Sequence, residues 1–418
     1  MTTTMTATRD VSRPEFIALI AGLMALNALA IDVMLPALPY MGEALGVLHE
    51  NDRQFVLTAY MLGFGVAQLA FGPLSDRFGR RAPLFVGMII YILAAFAAVF
   101  SPNFATLLVL RFVQGMGAAG TRVIATSIVR DRFGGRAMAE VMSLVFMVFM
   151  IIPVIAPAIG QGILFAGPWE YIFLFMAGLG LVITIWAFAR LPETLAPQHR
   201  RPLRPEVVLD GFRIVLSNRM AIMYGLAGTF IFGALFGFIN TAQQIYVGVY
   251  DLGTLFPVAF AFQASLMSVS SYTNSRMVRR MGMRRLSHGA ILVFTAMSGL
   301  WLVLSMTTSM PLWLFMTLLC IIMFMFGWTA SNMNSLSMEP LGAVAGTASS
   351  VFGFIQTVGG AILGTITGSF FDGSVTPIAA GYFILGLVAI GCVLIAENGK
   401  LFGVGEQYKD GAPMAEPH

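Results

Sequence analysis

The sequence predicts an all-α membrane protein of twelve transmembrane helices in two six-helix halves. Three observations predict it. Of 418 residues, 58% are hydrophobic and only 11% charged, where a soluble domain carries about a quarter charged residues. Apolar stretches of membrane length recur twelve times, long and without the alternation of a barrel strand. One long polar interruption, 191–219, divides them six and six. In lipid each stretch must satisfy its own backbone hydrogen bonds, which a helix does.

In chain order the spans are expected near 16–39, 55–75, 82–100, 104–128, 137–164, 168–190, 220–247, 252–275, 285–308, 310–335, 342–371 and 376–397. The polar start carries Arg9 and Arg13, and no small-residue cleavage site follows the first apolar run. That run reads as a retained span, not a cleaved signal. The ends of the spans alternate in charge. Arg77/Arg80/Arg81, Arg130/Arg132/Arg136, Arg200/Arg201/Arg204 and Arg276/Arg279/Arg280/Arg284/Arg285 fall on one side. Glu43, Glu50, Asp52, Glu170, Asp251 and Asp372 fall on the other, where Arg53 is the one basic residue. The positive-inside rule therefore puts both termini in the cytoplasm. The expected division is an N-terminal half, 1–198, a linker, 199–219, rich in proline and charge, and a C-terminal half, 220–418.

Several function classes drop out. The basic residues sit in short loops beside apolar spans, so the net charge of +4 does not imply nucleic acid. Cys320 and Cys392 lie inside apolar runs and read as small packing residues. The four histidines show no metal-ligand spacing, no phosphate-binding G-x-x-x-x-G-K-[ST] loop is present, and nothing resembles a catalytic site. The chain is not expected to be an enzyme or to need a cofactor beyond a proton gradient.

Gly72-Pro73-Leu74-Ser75-Asp76-Arg77-Phe78-Gly79-Arg80-Arg81 joins spans two and three. Its pattern, G-x-L-x-D-R-x-G-R-R, resembles the signature loop of the major facilitator superfamily. The equivalent place after span eight holds Arg279-Arg280-Met281-Gly282-Met283-Arg284-Arg285, with the acid lost. The resemblance covers nearly the whole chain. It implies two six-helix halves about a central substrate site. It also implies a latch in which Asp76 faces the start of span eleven, near Leu341 to Gly346, and Arg80 pairs with Asp131. Gly72, Arg77 and Gly79 complete the loop. The alternative is plain topogenic charge.

Asp32 lies within span one, in Ile31-Asp32-Val33-Met34-Leu35-Pro36. A carboxylate in a span costs about 3 kcal/mol on insertion scales, so its default reading is functional. Removal from water disfavours the charged form, which would let Asp32 take and release a proton near neutral pH. The alternative is a permanently bonded structural carboxylate. Arg111 is expected at the same depth, as neighbour to Asp32, each about seven residues or ~10 Å from the far end of its span. Its stretch, Arg111-Phe112-Val113-Gln114-Gly115-Met116-Gly117-Ala118-Ala119, resembles the family's fourth-helix motif, R-x-x-Q-G-x-G-A-A, whose arginine is linked to proton transfer. A static interhelical clamp is the other reading. Arg122, three turns on, is expected to snorkel or to pair with Glu140.

Pro153, Pro157 and Gly160 in span five resemble the antiporter motif of proton-driven exporters, with Ala156 and Gln161 departing from its glycines. Leu191-Pro192-Glu193-Thr194 resembles the same branch, the twelve-helix drug:proton antiporters of the bicyclomycin/chloramphenicol resistance subgroup. Polar residues within spans are the cavity candidates: Tyr60, Gln114, Asn240, Gln243 and Gln244, with Gln263, Trp328, Asn332 and Gln356 from later spans. The implied function is proton-coupled efflux of a small-molecule drug across the cell inner membrane by alternating access. An uptake symporter or a metabolite exporter of the same fold is the alternative. The expected partners are drug, protons and lipid, with no nucleic acid, and a monomer is the expected working unit.

Overall fold

In the computed structural model, 11–133, 135–196, 198, 200 and 205–402 are described. All regular structure among them is helical. Eleven helices among the described residues are long and apolar enough to cross a membrane. A further helix, Gly135–Ala166, is 32 residues long and carries Pro153 and Pro157 inside it. Together they account for the twelve spans.

The first half contains α1 (Arg13–Asp32), α2 (Leu38–Ala44), α3 (Phe55–Phe78), α4 (Arg81–Ala98), α5 (Phe104–Arg132), α6 (Gly135–Ala166) and α7 (Glu170–Arg190). The connecting segment holds α8 (Pro205–Ser217). The second half contains α9 (Arg219–Gln243), α10 (Phe256–Met281), α11 (Met283–Thr307), α12 (Leu312–Met338), α13 (Ala345–Ser369) and α14 (Thr376–Ala396).

The first span differs from expectation. It is not one helix to residue 39. α1 stops at Asp32, a 3-10 turn covers Leu35–Ala37, and α2 carries the chain to Ala44. Pro36 and Pro39 explain the break, since each lacks an N–H and crowds the preceding turn. The expected linker also contains more order than a polar tether. Phe212 and Val215 of α8 pack with Leu341, Ala348, Val351 and Phe352, so an apolar stripe at helical spacing docks α8 on the start of α13.

Within the first half α5 is squeezed between α3 and α4. A Cβ on Gly115 would lie 2.0 Å from the Tyr60 carbonyl oxygen, and one on Gly117 2.5 Å from the Gly87 carbonyl oxygen. Only glycine permits backbones that close. The two halves meet along α3 against α13 and along α6 against α10. At the end of the bundle away from the arginine clusters, side chains tie the halves together. Asn51 donates to the carbonyl oxygens of Ser369 at 3.1 Å and Phe371 at 2.8 Å. Gln244 donates to Asn51 Oδ1 at 2.9 Å, and the hydroxyls of Thr58 and Thr365 lie 2.6 Å apart.

Candidate functional site

Asp32 is the last residue of α1, only 5% exposed, where the chain breaks before Pro36. α6 presses on that break, because a Cβ on Gly160 would lie 1.9 Å from the Val33 carbonyl oxygen. A residue of the antiporter-like stretch therefore abuts the turn that follows the buried acid.

Arg111 is fully buried, yet it does not pair with Asp32. Its Nη2 donates to the carbonyl oxygen of Ala30 at 2.9 Å and its Nε to that of Val56 at 3.2 Å. Its Nη1 donates to Gln114 Oε1 at 2.7 Å. The Tyr60 ring lies under the guanidinium, 4.4 Å away. The Ala30 carbonyl, in the last turn of α1, and the Val56 carbonyl, in the first turn of α3, take the arginine's donors in place of the carboxylate. Arg111 thus clamps α1 to α3 and α5, and Asp32 makes no ion pair with it. Gln114, expected in the cavity, is committed to this clamp.

A cavity of about 70 Å³ opens at the centre of the bundle. Its polar lining is Asn27, Tyr60, Arg122, Gln356 and Thr357. Ile31, Met61, Phe64, Phe232 and Phe236 supply the apolar walls. Both halves contribute. Tyr60 donates to Asn27 Oδ1 at 3.1 Å. Of the nine expected cavity residues, Tyr60 and Gln356 line this space.

The others have structural partners or lie elsewhere. Gln244 belongs to the tie between the halves. Gln263 donates to the Leu319 carbonyl oxygen at 2.9 Å. Trp328 donates to the Ser270 carbonyl oxygen, and Asn332 to Asn274 Oδ1 at 2.7 Å. These three fasten α12 to α10 and do not line the central cavity. The physical reason is general: a polar side chain within a bundle is satisfied by the neighbouring helix first. Asn240 and Gln243 lie further along α9 and do not line this cavity.

Arg122 was expected to snorkel or to pair with Glu140. It does not snorkel to the end of its helix. It lines the central cavity, solvent-accessible there. The Glu140 side chain lies outside the described residues. The available signal was the eleven-residue step from Arg111, three turns along one helix face.

The signature loop builds an ion network within its own half. Gly79 ends α3 at φ +90°, a conformation that glycine adopts without strain. Arg80, 3% exposed at its side chain, donates from Nη1 to Asp76 Oδ1 at 2.6 Å and from Nε to Asp131 Oδ2 at 2.7 Å. Burial opposes the charge on Arg80, but the bonds to Asp131 and Asp76 outweigh it and hold its pKa above the ordinary value. Asp76 therefore bonds Arg80, four residues on, and not the start of the eleventh span. Gly72 packs toward Ser350 of α13, and Arg77 lies over the Phe78 ring. Glu193 adds a part the loop alone did not reveal. Its carboxylate accepts from the backbone N–H groups of Arg80, Arg81 and Leu195, at 2.8, 3.1 and 3.0 Å, capping α4.

The second half repeats this construction. Gly282 has φ +79°, at the matching junction of α10 and α11. Arg284 donates to Glu397 Oε1 at 2.8 Å and to Glu339 Oε2 at 3.1 Å. The acid missing from the second loop is thus supplied by the ends of α12 and α14, much as Asp131 sits in the last turn of α5 and Glu193 just after α7.

The family model described as Major Facilitator Superfamily matches residues 20–364. A bicyclomycin resistance protein homolog of Haemophilus influenzae is 30% identical over 85% of this chain and 89% of its own. A chloramphenicol resistance protein of Pseudomonas aeruginosa is 30% identical over 82% of this chain and 80% of its own. The fold is similar to that of a bacterial homolog of the human lysosomal transporter Spinster, solved inward-facing and unoccupied. The TM-score is 0.68 at 14% identity, over 93% of this chain and 96% of that one.

Proposed function

Because the chain belongs to the Major Facilitator Superfamily, we propose that it exports drugs or other small lipophilic molecules across the inner membrane in exchange for protons. The arginine-rich end faces the cytoplasm, with both termini, and the two halves of a single chain alternate access to the central cavity. The observation that carries the reading is Asp32, a buried carboxylate with no ion-pair partner among the described residues, set at a break in α1 against α6. The names of the relatives from Haemophilus influenzae and Pseudomonas aeruginosa support a drug as cargo.

The proposed cycle gives each group one task. A proton from outside neutralises Asp32 while the drug leaves outward. The empty carrier then reorients and releases the proton inside. Arg111 holds α1 against α3 and α5 so that the break beside Asp32, not the whole helix, moves. The networks of Arg80 and Arg284 keep each half rigid during rocking. One proton moving down ~100 mV gains about 2.3 kcal/mol, and one pH unit adds about 1.4. Together they sustain a gradient of roughly a few hundredfold for a neutral drug.

Purified protein in sealed vesicles should move chloramphenicol or a lipophilic dye when a pH gradient is imposed. Asp32→Asn should abolish that movement while the protein still inserts and melts normally. Full-rate pumping by the asparagine form would remove Asp32 from the mechanism.

A further inference from the structure

The cavity holds one charged side chain among its lining residues, and it is a cation. The guanidinium of Arg122 makes no hydrogen bond or ion pair with the described residues, although it sits deep in the bundle on α5. Arg111, on the same helix face, is the contrast, with all three nitrogens bonded. Among the described residues, no packing contact of this kind uses Arg122. No acidic side chain stands beside it among the described lining residues, Asp32 included. Around Arg122 the cavity offers what an amphiphile needs: Phe64, Phe232, Phe236 and Met61 for an apolar body, and the Gln356 amide for a polar group. A planar guanidinium takes two oxygens of a carboxylate in parallel, which fixes orientation as well as charge.

We infer that the central cavity selects organic anions, compact apolar molecules bearing one carboxylate, phenolate or similar group that Arg122 binds, and that it excludes permanent cations. The direction of movement rests on the export reading above; the binding preference does not. A consequence follows for coupling. One proton entering while one monoanion leaves moves two charges in the same electrical sense. Each charge crossing ~100 mV multiplies the attainable gradient about fiftyfold. A neutral drug would use one such factor and a monovalent cation none.

The test uses the full-length protein in detergent and three probes on one ring system: 1-naphthoate, the neutral 1-naphthamide and a quaternary naphthylmethyl ammonium. Calorimetry on the wild type should give naphthoate an affinity about ten- to a hundredfold above the cation, the range of a charge-assisted hydrogen bond. Arg122→Gln should collapse that ratio to within about threefold, and Arg122→Lys, which keeps the charge but loses the two-point grip, should keep only part of it. The same ranking in wild type and Arg122→Gln, or a wild type that prefers the cation, would overturn the proposal. Should Arg122→Gln fail to fold, the wild-type ranking decides alone. Vesicles that move no drug under a gradient would sink the export reading and leave this ranking intact; the reverse result would do the opposite.

Discussion

Asp32 and Arg111 show how differently two buried charges are treated in one half. Arg111 spends its donors on the backbone of α1 and α3 and on Gln114, so it behaves as a fastener. A lysine there has its three donors on one nitrogen, which cannot span acceptors on α1, α3 and Gln114 together, and leaves buried carbonyls bare, at about 1–3 kcal/mol each. Arg111→Lys should lower the melting temperature in detergent and impair transport together. Asp32→Asn should impair transport alone. A melting curve beside a vesicle assay separates the two roles. That Asp32 would lie buried was legible, because a charge inside a span is conspicuous in any sequence. That Arg111 would choose carbonyls was not, because those acceptors, on α1 and α3, come within its reach only through packing.

At the scale of elements, the repeat carries the lesson. Gly79 and Gly282 share a positive φ at matching junctions, and each is followed by an arginine, buried at Arg80 and half-buried at Arg284, that gathers acids from two helix ends. The loop pattern announced the network around Arg80. The network around Arg284 is hidden in the chain, because its acids, Glu339 and Glu397, lie 55 and 113 residues away. Glu193→Ala should strip the cap from α4 and cost about 1–2 kcal/mol, read as a lower melting temperature with an unchanged preference among substrates. Gly160→Val should act differently. Its side chain meets the carbonyl of Val33, so α6 must back away from the break after Asp32. Coupling should fall by about tenfold or more in a proton-flux assay, while drug binding in detergent persists.

For the whole molecule, the seam away from the arginines sets the balance between states. Asn51, Thr58, Gln244 and Thr365 close it with hydrogen bonds. Gln54 sits in the same seam with both amide atoms buried and unbonded, a cost of about 1–3 kcal/mol that opening relieves. The closed seam is therefore held by some contacts and loosened by another, as a carrier that must visit both states requires. Asn51→Ala should favour opening. A cysteine placed at Thr365, with Cys320 and Cys392 replaced by serine, should then react several-fold faster with an impermeant thiol reagent. Gln54→Leu should slow that labelling. Equal rates in all three proteins would mean that this seam does not set the balance.

What the sequence determined by itself was whatever depends on local run length and charge: helical spans, their number, the sidedness of the arginines, the signature loop and the buried acid. Lipid imposes those constraints on each segment separately, so each segment displays them. What the tertiary structure decided was which polar side chains remain free. Gln114, Gln244, Gln263, Trp328 and Asn332 read as cavity residues in the chain, and each is taken by a neighbouring group. Arg122 read as a snorkelling or Glu140-paired residue, and among the lining residues it alone brings charge into the cavity wall. A hydrogen bond between helices depends on partners brought close only by packing, so no reading of one linear run of residues can assign it.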